Sequence, residues 1–173
     1  MFDNPVPAPE VSSHPAWQWY RTSYGHYLEA FEGGGRYYPG INAATMALLC
    51  GYRDKSVELA GRTLEICREL DLAALPADGR FWALVTQGEA MVLGGSCDKA
   101  AEFYRQALAN LPRGDAGLAQ SAYGQVCRLA WALGPAVCPV LDEFRTVRRR
   151  FRNTDSSRSF CNAAFRNAAG KTA

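Results

Sequence analysis

Apolar residues recur along this chain at helical spacing, and runs of Gly and Pro separate the helical segments. Trp17, Tyr20, Tyr24, Tyr27, Leu28 and Phe31 lie three and four apart and form one stripe, which predicts a first helix beginning after Ser12 or Ser13 and ending at Gly33-Gly34-Gly35. Pro15 fits its first turn. A second helix is expected after a Tyr37-Tyr38-Pro39-Gly40 turn, with Ile41, Ala44, Leu48 and Leu49 on one face and Gly51 as its stop. The third runs from Asp54, read as an N-cap, through Val57, Ala60, Leu64 and Cys67 to Leu70. Pro76-Ala77-Asp78-Gly79 marks a break before a fourth helix over 80–93, and Ser96 is the candidate cap of a fifth that presents Ala100, Phe103, Ala107 and Leu111. A sixth spans Asp115 to Leu133 and a seventh Val137 to Phe151. Strand-like alternation is absent from the sequence, so the expected class is all-α, with about seven helices in either a closed bundle or a stacked α-α superhelix.

An internal repeat favours the superhelix. In FWALVTQGEAMVLGGSCDKAAEFYRQALANLPRG, residues 81–114, Gly88, Ala100, Tyr104, Ala107 and Pro112 stand at the offsets of the 34-residue tetratricopeptide pattern. Gly88 and Ala100 are small where two helices of a hairpin cross, Tyr104 fills the gap to its neighbour, Ala107 admits the next hairpin and Pro112 ends the helix. Leu84 and Gln87 depart from the pattern at its Trp and Leu positions. Residues 37–70 overlay this unit at an offset of 44, which matches Gly51 with Gly95, Lys55 with Lys99, Leu59 with Phe103 and Leu64 with Leu108. The first helix contributes a half-unit, since Tyr27-Leu28-Glu29-Ala30-Phe31 echoes Tyr104-Arg105-Gln106-Ala107-Leu108; beyond Asp115 the pattern fades as in a terminal cap.

The run from Tyr24 to about Leu133 carries a narrower likeness. Tyr37-Tyr38-Pro39-Gly40-Ile41-Asn42-Ala43-Ala44-Thr45, followed by a Leu-rich helix and Gly51, and then Phe81-Trp82-Ala83-Leu84 and Arg113-Gly114-Asp115, resembles the tetratricopeptide-type TRAFs-binding domain of apoptosis-signal-regulating MAP kinase kinase kinases and its bacterial relatives. The resemblance implies a regulatory interaction module without an active site, working in a signalling or defence-type assembly. This chain lacks the kinase or TIR domains that usually accompany that module, which implies a stand-alone adaptor or a fragment.

In such a solenoid the first helix of each hairpin lines a concave groove. Counting from Tyr37, Phe81 and Asp115, the inward positions are Tyr38, Ile41, Thr45 and Leu48, then Trp82, Val85, Glu89 and Val92, then Ala119, Tyr123 and Val126. That surface is apolar and aromatic and suits a helix or an extended peptide of another protein. It has no inward Lys, Arg and Asn for clamping a peptide C-terminus. Alternatively, the same residues are core, covered by the first or last helix.

Composition adds little beyond this. Hydrophobic residues are 48% and charged residues 21% of 173, a globular balance with no run of about 18 apolar residues that would span a membrane. The first fifteen residues have neither a basic nor an apolar segment of a secretory signal, which predicts the cytoplasm. Residues 1–13 read as a flexible arm, 14–151 as the repeat domain and 152–173 as a basic, disordered tail. Residues 1–143 carry 11 basic and 16 acidic side chains, net −5, whereas 144–173 carry eight basic and one acidic, net +7. Arg145, Arg148, Arg149, Arg150 and Arg152 therefore make nucleic-acid contact the competing function, and docking of the tail on an acidic neighbouring copy a third possibility.

Catalytic signals are weak. His14 and His26 are the two histidines, G-x-S-x-G, H-E-x-x-H and P-loop runs are missing, and Glu65 and Glu69 read as a solvated helix face. Gly33-Gly34-Gly35-Arg36 reads as a helix stop rather than a phosphate cradle. Cys50, Cys67, Cys97, Cys127, Cys138 and Cys161 form no C-x-x-C pair and are expected as free core thiols. Neither cofactor nor metal is implied.

Overall fold

Among the described residues seven helical segments follow one another: α1 (Trp17–Gly34), α2 (Tyr37–Leu49), α3 (Arg53–Arg68), α4 (Ala77–Leu93), α5 (Cys97–Ala109), α6 (Ala116–Leu133) and α7 (Cys138–Arg150), with a 3-10 turn (Gly134–Val137) leading into α7. The computed structural model describes residues 17–112 and 115–150, with side chains described as far as 145. The expected arm over 1–13 and tail over 152–173 lie outside these residues. Among the described residues there is no strand, and no helix is long and apolar enough to cross a membrane.

The two hairpins α2/α3 and α4/α5 are joined by the same turn, 44 residues apart. Gly51 and Gly95 both take φ of +83°, the left-handed conformation that an L side chain resists. Around Gly51, its own N–H bonds Leu48 O at 2.9 Å and the N–H of Tyr52 bonds Ala47 O at 2.8 Å. Around Gly95, its N–H bonds Val92 O at 3.0 Å and the N–H of Ser96 bonds Met91 O at 2.8 Å. Both sets form a Schellman closure, which satisfies the last carbonyls of the first helix while reversing the chain.

Inside each hairpin, small residues set the approach. A Cβ built on Gly88 would lie 2.7 Å from Cδ2 and Cε2 of Tyr104 and 3.4 Å from the Ala100 carbonyl. Tyr104, Ala100 and Ala107 are all fully buried, so α4 and α5 cross with the tyrosine ring laid directly over the glycine. Gly40 plays the same part between α1, α2 and α3. Its missing Cβ would meet Phe31 Cε2 at 2.7 Å and, closer still, the Thr63 hydroxyl.

This explains a departure from the expected elements. Tyr37-Tyr38-Pro39-Gly40 is not a turn before α2 but its first helical turn. Proline is tolerated there because the first N–H groups of a helix have no intrahelical acceptor to lose. Two further starts also differ. Asp54 lies in the first turn of α3, with Tyr52 at the cap position, and α4 begins at Ala77, its Arg80 N–H bonded to Pro76 O at 2.8 Å. Ser96 occupies the cap position of α5 without a side-chain cap bond, whereas Asp115 does cap α6, accepting from the Leu118 N–H at 3.3 Å. The Gly33–Gly35 stop is as expected: α1 ends at Gly34, and Gly35 turns at φ +59° with its N–H on Phe31 O.

Packing runs through the helices in a definite order. α2 touches α1, α3, α4 and α6, and α4 touches α2, α3, α5 and α6, while α7 closes against α5 and α6. Accordingly α2 and α4 are buried almost all round, whereas α1 has one fully buried side chain, Phe31. Ion pairs brace the outside: Arg62 of α3 holds Glu32 at the end of α1 at 2.7 and 3.2 Å, and Arg105 of α5 holds Glu143 of α7 at 2.7 and 3.2 Å.

Candidate functional site

The residues expected to line a groove are mostly interior. Ile41, Thr45, Leu48, Val85, Glu89, Val92, Ala119, Tyr123 and Val126 are buried, Trp82 is half-buried, and Tyr38 is exposed. α2, α4 and α6 pack on one another, so nine of the eleven face protein instead of an open surface. A partner cannot reach them without parting the helices. Trp82 stacks edge-on against the buried Phe81 ring, centroids 5.3 Å apart.

Within that interior lies one acid. Glu89 is the single charged residue of α4 between Phe81 and Leu93, and it is 2% exposed. The Thr45 hydroxyl of α2 donates to its Oε1 at 2.5 Å. Thr45 and Glu89 are 44 residues apart, so equivalent positions of the two hairpins meet across the α2–α4 contact. Burial pushes the Glu89 carboxyl from 4.5 up to about 7, against the opposing pull of the Thr45 hydrogen bond and the Arg128 guanidinium. Tyr104 of α5 faces the same region: its hydroxyl is buried without a hydrogen-bond partner, and burial, then the charge of Glu89, drives its phenol well above the usual range. Arg128 of α6 gives an Nη2 hydrogen bond to Gln125, and its Nε is buried without a partner.

On the outside, a second constellation was not anticipated as a unit. Tyr24 and Tyr27 lie one turn apart on α1; Tyr24 packs on Tyr52 with centroids 5.6 Å apart and Tyr27 meets Tyr38 edge-on at 6.4 Å. Tyr38 is 61% exposed and Tyr52 40%. Four phenols thus run from the start of α2, across α1, to the cap of α3. Burial, followed by the adjoining Tyr38 phenol and its hydrogen bond, raises the Tyr27 pKa, and burial raises that of Tyr24. Trp19, 75% exposed on α1, and Val57, 44% exposed on α3, add apolar surface on two of the same helices. Tyr24 and Tyr27 were legible as members of the α1 stripe; Tyr52 had no signal beyond being an aromatic after a turn glycine.

The other expectations can be placed briefly. Arg145 is exposed and bonds Asp142 at 2.9 Å along α7; Arg148, Arg149 and Arg150 belong to the backbone of α7, and Arg152 is outside the described residues. His26 is exposed on α1, and His14 is outside the described residues. Glu65 and Glu69 are exposed, as a solvated face requires. Cys50, Cys67 and Cys97 are buried free thiols and Cys138 a half-buried one; Cys127 is disulfide-bonded, which corrects the expectation of free thiols throughout. Burial pushes the Cys67 thiol up to about 12. Among the described residues no three His, Cys, Asp or Glu side chains converge as a metal set.

The chain matches no family model, no curated protein and no solved structure.

Proposed function

We propose that this protein is a non-catalytic interaction module, a stack of two tetratricopeptide-type hairpins with a preceding half-unit and a terminal cap, that binds another protein through the tyrosine row of α1–α3. The carrying observation is that row. Tyr24, Tyr27, Tyr38 and Tyr52 form a contiguous aromatic strip that runs over α1, the first turn of α2 and the cap of α3, with α1 packed chiefly on α2. Tyrosine combines a rigid apolar ring with a polar tip and loses little rotamer entropy on binding, which is why it is enriched at interfaces. The fitting partner is a protein segment with an apolar stripe flanked by hydrogen-bond acceptors.

Support for the repeat reading comes from the matched Gly51 and Gly95 turns and from Thr45 meeting Glu89 across one repeat offset. Catalysis is disfavoured on geometric grounds: the strongly shifted carboxyl, Glu89, is sealed from any substrate, and His26 stands alone on an exposed face. The resemblance to a TRAFs-binding domain is what supports reading the module as part of a cytoplasmic signalling or defence-type assembly.

The test is capture from native lysate by the wild-type chain and by a Tyr38→Ser/Tyr52→Ser variant, each with and without nuclease. Each substitution removes one aromatic contact, so the variant loses roughly 1–3 kcal/mol, and far-UV circular dichroism checks that it remains folded. The proposal expects a discrete protein, resistant to nuclease, retained by wild type and lost by the variant. Equal capture by both chains refutes the tyrosine row, and partners that vanish with nuclease transfer the function to the Arg-rich segment.

A further inference from the structure

Glu89 is an ionisable side chain buried to 2% exposure, and no part of the proposed interface needs it. An ionised carboxylate can accept about four hydrogen bonds; here the Thr45 hydroxyl is the one donor bonded to it among the described residues. A carboxyl so poorly supplied, and 2% exposed, is held more cheaply as the neutral acid. The groups facing it come from three of the helices around α4. Thr45 of α2 donates to it, Tyr104 of α5 brings an unpartnered hydroxyl, and Arg128 of α6 brings a cation. Among the described residues, none of the groups that shift Glu89 belongs to α3.

Arg128 is the informative neighbour. It is half-buried, its Nη2 is engaged with Gln125 on its own helix, and its Nε has no partner. A guanidinium close enough to act on Glu89 is therefore spent on a neutral amide while one of its buried donors stays unused. That arrangement suits a protonated Glu89 and is wrong for an ionised one.

We propose that Glu89, Thr45 and Arg128 form a proton-operated switch: with Glu89 protonated the α2–α4–α6 contact is closed as described, and loss of that proton draws Arg128 from Gln125 toward the carboxylate and loosens the contact. The proton leaves to solvent, and the negative charge it leaves on Glu89 is compensated by the Arg128 cation already present. Burial places the working range near neutral pH, since the folded carboxyl titrates at about 7 against an ordinary value of 4.5. The sign follows from linkage. Between those values the folded chain holds a proton that the unfolded chain has released, so stability is greatest below the lower value and falls as pH rises through the upper one. The switch stands or falls on the α2–α4–α6 packing, although Arg128 also acts on the Tyr27 phenol of the tyrosine row.

The experiment is urea denaturation of the full chain, with intrinsic tryptophan fluorescence of the folded state, at several pH values between about 5 and about 9, for wild type, Glu89→Gln and Arg128→Met. Trp131 stands one turn beyond Arg128 on α6 and Trp82 lies on α4, so the emission samples two of the three helices of the switch. Wild type is expected to lose urea resistance and change emission as pH rises, Glu89→Gln to show neither change, and Arg128→Met to move the transition to higher pH. Parallel pH profiles for wild type and Glu89→Gln overturn the switch. An unmoved transition in Arg128→Met overturns the role of the guanidinium. If Glu89→Gln fails to fold, carboxyl carbon titration by NMR of the wild-type chain decides the matter: a Glu89 signal titrating in the ordinary carboxylate range refutes the proposal.

Discussion

Replacing Gly88 by alanine should destabilise this protein, although alanine is the better helix former. Gly88 lies inside α4, where exchanging glycine for alanine in a freely exposed helix gains about 1 kcal/mol. Against that gain stands the added methyl, 2.7 Å from two ring carbons of Tyr104, where carbon atoms prefer about 3.5–4.0 Å. The ring must retreat by roughly 1 Å, yet it is fully buried and already tilted against Phe144 at 5.6 Å between centroids. Overpacking of this kind costs about 1–3 kcal/mol, so the net effect is a loss of up to about 2 kcal/mol. Gly61 supplies the control. It is exposed within α3, and a Cβ there meets nothing within 4 Å, so Gly61→Ala should gain up to about 1 kcal/mol. Urea denaturation followed by far-UV circular dichroism compares the two substitutions, with an unchanged slope showing that the unfolded state is not the cause. In a chain of this size the two variants should straddle wild type by about 2–4 °C in Tm per kcal/mol. If Gly88→Ala stabilised as much as Gly61→Ala, the close crossing of α4 and α5 would be wrong.

Two more outcomes follow from buried groups. Tyr104→Phe removes a buried hydroxyl that has no partner and should stabilise the fold by about 1 kcal/mol in thermal or urea melts; a loss of similar size would mean that the hydroxyl is hydrogen-bonded after all. Cys67, its thiol pushed up to about 12, should resist thiol reagents at neutral pH in the folded chain and react once urea is added, and rapid labelling of Cys67 in the folded state, located by peptide mapping, would contradict its burial.

What was legible in the sequence was local. The helix stops at Gly35, Gly51 and Gly95 are chemical necessities of the left-handed backbone, and the 44-residue spacing of Gly51 and Gly95 carried the hairpin repeat directly. Gly88 and Tyr104 were readable as a pair because the repeat pattern fixes both offsets. Gly40 was misread for the opposite reason: a Pro-Gly dipeptide signals a turn locally, while the force that selects glycine there is a close approach to Phe31 and Thr63, which no local pattern encodes. The expected groove failed on the same point. Periodicity tells which residues share a helix face, not whether that face meets water or another helix. One hint lay unused in α4, where Phe81 to Leu93 carries a single charge, since a helix apolar all round is a buried helix. Carrying Glu89 back by the repeat offset lands on Thr45, so even that buried contact was implicit once parallel stacking of α2 and α4 is granted.

The central claim is that the tyrosine row of α1–α3 meets a protein partner. A photo-crosslinking amino acid placed at position 38 or 52, with the same residue at the exposed position 102 of α5 as reference, tests it most directly in native lysate. The account predicts one discrete protein adduct from 38 and 52, unaffected by nuclease and absent from 102. Adducts that form equally from all three positions, or from 102 alone, would contradict it.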